Sequence, residues 1–63
     1  MLLPSKSLDD LKKELHKEID ELFELIKEYK STNDTDKKFE LSGKIMNKLS
    51  RVQLLLSLLS SLE

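Results

Sequence analysis

The chain has 63 residues, 11 basic and 12 acidic side chains, and a net charge of −1. It is therefore one small domain at most, without the basic face or stripe that binding nucleic acid requires. No cysteine and one histidine exclude a disulfide, a thiolate zinc site and a histidine-built metal site. A chain this short buries only roughly 60% of its unfolded surface, so a good helical interface or oligomerisation must supply what staples would otherwise give.

The charge is uneven. Residues 1–40 carry 8 Lys against 11 acids, and residues 41–63 carry 3 basic residues against 1 acid. Two halves folded onto one another would attract weakly, through an interaction that salt screens. The opening MLLPSKS is too short for an apolar signal core and lacks a basic start. No segment approaches the roughly 20 apolar residues of a membrane span. The expectation is a cytoplasmic protein.

One glycine and one proline, with leucine, lysine and glutamate dominant, predict an all-α chain. Pro4 stands where a proline does no harm to a helix. Ser7 with Asp10 fits a Ser-x-x-acid N-cap, and Asp9 adds favourable charge to the first turn. Helix one is expected from about residue 8 to 30. Leu8, Leu11, Leu15, Ile19, Leu22, Leu25, Ile26 and Tyr29 fall in one stripe roughly 120° wide, with Phe23 at its edge. His16 sits at the stripe's margin between Lys12 and Asp20, as a boundary residue. Residues 31–35 are all short and polar and compete with helix through local hydrogen bonds. One of Asn33, Asp34 and Thr35 is expected to cap helix two. So short a connection makes the two helices an antiparallel αα-hairpin, a single domain over residues 1–63.

Helix two is expected from about residue 36 to 61. Its first half carries Phe39, Leu41, Ile45, Met46 and Leu49. Gly43 lies off that stripe, as a tolerated surface glycine or a point where a partner backbone comes close. The tail RVQLLLSLLSSL has no charge after Arg51. On a helical wheel its aliphatics cover roughly 220°, more than one neighbouring helix covers. The expected hairpin core is Leu11, Leu15, Ile19, Leu22, Ile26 and Ile45, continued by Leu49, Val52, Leu56 and Leu59. Leu54, Leu55, Leu58 and Leu62 are surplus, and with Leu59 and Val52 they form the expected partner interface. Apolar patches of that size mark interaction sites. Self-association into a bundle and binding to a different helical protein stay open. Lying on a membrane is less favoured, because the polar wedge is serine rather than lysine and arginine.

No gly-rich loop, nucleophile–base set or metal-ligand spacing occurs. The carboxylates alternate with lysines at helical surface spacing. Phe23, Tyr29 and Phe39 read as core plugs near the turn. The expectation is no enzyme, no cofactor, no metal, no small-molecule substrate and no nucleic acid, but a helical partner or a second copy.

The layout resembles the small co-chaperones of type III secretion needle subunits. The likeness lies in the length, the central polar turn and the Lys37-Lys38-Phe39 entry to helix two. Ile19, Phe23 and Ile26, and the run Leu49, Val52, Leu55, Leu56, Leu59, extend it over about residues 15–60. The resemblance implies a hairpin that pairs with a larger helical-repeat chaperone and keeps a needle subunit monomeric before export, with helix two facing the partner. Leu41-Ser42 is similar to the entry of the Ser-Gln-Glu-Leu-Asp signature of short sporulation-regulating aspartyl-phosphate phosphatases. The continuation Gly43-Lys44-Ile45-Met46 lacks that signature's Gln, Glu and Asp.

Overall fold

The computed structural model describes residues 7–62, and Pro4 lies outside them. Two helices, α1 (Leu8–Ser31) and α2 (Thr35–Leu62), form an antiparallel hairpin of 50 × 17 × 15 Å. The α1 start follows from its cap. Ser7 Oγ accepts from the Asp10 N–H at 3.2 Å, and the Ser7 carbonyl accepts from Leu11. This satisfies donors that a helix start otherwise leaves open. Asp9 and Asp10 stand at the positive end of the helix dipole and Lys30 at the negative end.

The turn is equally local. Thr32 N–H closes α1 on the Glu28 carbonyl at 3.1 Å. Thr32 Oγ1 then accepts from Asp34 N–H, and Asp34 Oδ1 accepts from Asp36 N–H at 3.0 Å. The Asp34 carbonyl accepts from Lys38 N–H. Of the three candidates, Asp34 is therefore the residue that caps α2.

The core differs from a simple apolar stripe. Residues turned toward the opposite helix recur at alternating spacings of three and four. They are Leu11, Leu15, Glu18, Leu22, Leu25 and Tyr29 in α1, and Lys38, Leu41, Ile45, Lys48, Val52, Leu55 and Leu59 in α2. Such spacing is a heptad seam, positions a and d of a coiled coil. Leu11, Leu15, Val52, Leu55 and Leu59 form one buried cluster, with Ile19 against it. Burial of each is worth about 1.5–3 kcal/mol. Leu22 and Leu41 are buried nearer the turn. Lys38 lies 5.6 Å above the Tyr29 ring, a cation–π contact closing the seam at the turn end.

Three expectations are corrected. Leu49 and Leu56, assigned to the core, are 42% and 48% exposed. Leu55, assigned to the outside, is 4% exposed. Phe23 and Phe39 are not core plugs but stand in solvent, Phe39 at 83% exposed. One cause covers the leucines. A straight 100° wheel drifts by about 20° per heptad from a 3.5-residue seam, and α2 is four heptads long. Among the described residues, nothing beyond the backbone of its own helix lies within 4 Å of where a Cβ on Gly43 would stand.

Candidate interaction surface

The seam itself contains a polar layer. Glu18, 6% exposed, is a buried acid at a seam position. Lys48 stands at a seam position of α2 and donates to Glu18 Oε1 at 2.8 Å and to Glu21. The Lys48 side chain is 26% exposed, as expected where a long apolar stem is covered and the charge stays near water. Arg51 donates to Glu14 at 2.9 Å, and its Nε is 4.0 Å from Glu18 Oε2. Glu18 therefore has two cationic neighbours. No buried side-chain polar atom among the described residues lacks a hydrogen-bond partner.

Lys48 and Glu21 shift each other. The hydrogen bond from Lys48 holds the Glu21 carboxyl below its ordinary value of 4.5. The bonds to Glu18 and then Glu21 hold the Lys48 ammonium above its ordinary 10.5. The carboxylates of this flank are bound up in ion pairs, which favours a structural use over acid–base chemistry. Among the described residues, no group of three or more His, Cys, Asp or Glu could hold a metal ion. His16 is exposed beside Lys12, Lys17 and Asp20.

The ion pairs fix which side of the hairpin is polar. Glu14 and Arg51 both occupy position g of their heptads, and in antiparallel helices the g positions of the two strands flank one edge of the seam. The e positions flank the other edge. In α1 these are Lys12, Ile19 and Ile26, the isoleucines half-buried, with His16, Phe23 and Lys30 at position b. In α2 they include Ser42, Leu49 and Leu56, with Phe39, Met46, Gln53 and Ser60 at position b, all exposed. Around its middle layers the hairpin is thus two-sided, with the ion pairs on one flank and, on the other, an open apolar patch that spans both helices between polar ends.

No family model, curated protein or solved structure matches this chain. The surface is therefore read from its own geometry. The six residues expected to meet a partner separate into two groups. Val52, Leu55 and Leu59 are buried in the hairpin, whereas Leu54, Leu58 and Leu62 are exposed near the free end. A charge at Leu55 would consequently break the hairpin before it could test an interface. A straight helical wheel hides the e/b face, because it turns Leu49 and Leu56 inward. Its signal was present in the spacing of Phe39, Met46, Leu49 and Leu56.

Proposed function

We propose that this chain is a non-enzymatic binding module whose work is to cover apolar helical surface on another protein chain. The observation that carries this reading is the open apolar face beside a seam already filled by the hairpin's own residues. Contiguous exposed apolar surface on a small domain is the mark of an interaction site. The module would act by helix packing, with an apolar helical surface as its ligand and no cofactor.

The co-chaperone role implied by the resemblance is one form of this proposal. In that form the hairpin pairs with a larger helical chaperone in the cytoplasm and shields an aggregation-prone subunit. A homo-oligomeric bundle is the other form, with a second copy covering the same kind of surface. A phosphatase role has less support, because Ser42 is exposed on α2 without the acid that the similar signature carries. No helix among the described residues is long and apolar enough to cross a membrane.

Sedimentation of the purified chain at tens of micromolar, with and without the proteins of neighbouring reading frames, tests the module. The expected result is association, with itself or with a co-expressed helical protein. A stable, fully helical monomer that binds neither these proteins nor an apolar dye would overturn it.

A further inference from the structure

We propose that the occupant of the e/b face is a second copy of this chain, joined about a two-fold axis into an antiparallel four-helix bundle. The proposal rests on the binding-module reading and names both its surface and its partner.

The order of residues on α2 supplies the first argument. Along the e and b positions the row runs Phe39, Ser42, Met46, Leu49, Gln53, Leu56. Each member has a counterpart at equal distance from the point between Asn47 and Lys48. Phe39 matches Leu56, Ser42 matches Gln53, and Met46 matches Leu49. An interface related by a two-fold axis requires this property, because residue i must meet residue j wherever j meets i. With two α2 helices packed antiparallel about that point, Phe39 of each copy meets Leu56 of the other. Met46 meets Leu49, and the polar Ser42 and Gln53 meet each other, so along the α2 row no apolar side chain faces a polar one.

Area and charge supply the second argument. Phe23, Phe39, Met46, Leu49 and Leu56 leave on the order of 600 Å² exposed. The edges of Ile19 and Ile26 extend that face. A specific interface takes roughly 800 Å² from each partner. The face contributed by α2 carries no charge from Phe39 to Ser60, and a net charge of −1 opposes self-association only weakly. The charged flank stays outside the bundle, where water solvates it. Leu54, Leu58 and Leu62 lie away from the α2 row and are not part of this contact.

The test is light scattering and sedimentation of the full chain and four variants across micromolar to millimolar concentrations. The native chain is expected at twice the 7.3 kDa monomer mass. Phe39→Glu and Leu56→Lys should each weaken the dimer by at least tenfold. The double variant Phe39→Glu/Leu56→Lys should recover most of that loss, because each new acid meets the other copy's new base. Within one chain the two positions are roughly 25 Å apart along the helix, so a monomer cannot produce the recovery. Leu54→Glu should leave the dimer unchanged. Circular dichroism tracks folding, and if a single variant loses helix, recovery of both helix and dimer in the double variant still decides the register.

A native chain that remains monomeric throughout overturns the second copy. The module reading then survives only if the chain binds a heterologous helical partner. A dimer that ignores Phe39→Glu and Leu56→Lys but breaks with Leu54→Glu overturns this face while the module reading stands. Single variants that dissociate without recovery in the double variant overturn the antiparallel register.

Discussion

Leu54 and Leu55 are adjacent, chemically identical and, in the structure, opposite in role: 57% and 4% exposed. Leu55 shares a buried cluster with Leu11, Leu15, Val52 and Leu59. Truncating such a leucine to alanine costs about 2–5 kcal/mol, the cavity included. The cluster borders the free end of the hairpin, where neighbours can relax into the space, so about 3 kcal/mol is the expected value for Leu55→Ala. A domain of this length has a total stability of about 3–9 kcal/mol. The substitution therefore removes a third or more of it. In a domain of this size 1 kcal/mol moves the thermal midpoint by about 4–8 °C, which places the Leu55→Ala shift at about 12–24 °C. Leu54→Ala, a surface change, should stay within about 0.5 kcal/mol. The assay is thermal melting followed by far-ultraviolet circular dichroism at several protein concentrations, so that association is separated from folding. Equal shifts for the two variants would refute the placement of the seam.

The polar layer gives a second expectation. Lys48→Met leaves the Glu18 charge buried without its closest cation and should lower the thermal midpoint. Glu18→Leu/Lys48→Leu together should restore or exceed the native midpoint, since replacing a buried ion pair with apolar residues is often neutral or stabilising. Native-like stability in Lys48→Met would contradict the role of the pair. On the acid side, Glu21 is held below 4.5, so its contribution is complete above that value and disappears as pH falls through the lowered folded value. Lys48 is held above 10.5, so its contribution is complete below that value and disappears as pH rises through the raised one. A carboxyl NMR titration should find the Glu21 midpoint below 4.5; a midpoint at or above it would remove the Lys48–Glu21 bond from the account. Gly43→Ala should stabilise by about 0.5–1 kcal/mol, because the site is mid-helix with open space around it. A loss of stability in the melt would show that space to be occupied.

Most of the hairpin is legible in the sequence because its signals are local. Ser7 and Asp10 announce the start of α1, the short polar residues 31–35 mark the turn, and Asp34 is one of the three cap candidates that the sequence offers. The seam is less legible for two physical reasons. A long helix wrapped on a partner follows a 3.5-residue period, which a straight wheel tracks poorly by the time it reaches Leu55. In addition, Glu18 and Lys48 stand at seam positions as charges, so a search for apolar residues passes over them. Their places are recoverable from the spacing of the neighbours: Leu15 and Leu22 bracket Glu18, and Leu41, Ile45, Val52 and Leu55 bracket Lys48. The open e/b face is hidden for the same reason, since a straight wheel puts Leu49 and Leu56 in the core.

The tight turn also makes the cost of loop closure uneven along the hairpin. Lys38 and Tyr29 are nine residues apart in the chain, whereas Arg51 and Glu14 are 37 apart. Joining the distant pair first would cost about 1 kcal/mol more in loop-closure entropy than joining the near pair first. Loop closure alone therefore favours contacts beside the capped turn, with the Glu18–Lys48 layer midway along the hairpin. The largest apolar cluster, at Leu11, Leu55 and Leu59, lies toward the far end, where it must offset the larger closure cost. Any opening of that end uncovers Leu55 and Leu59 beside the already exposed Leu54, Leu58 and Leu62. The cluster that holds the far end shut is thus also the one whose exposure would add most to the apolar surface already in contact with water.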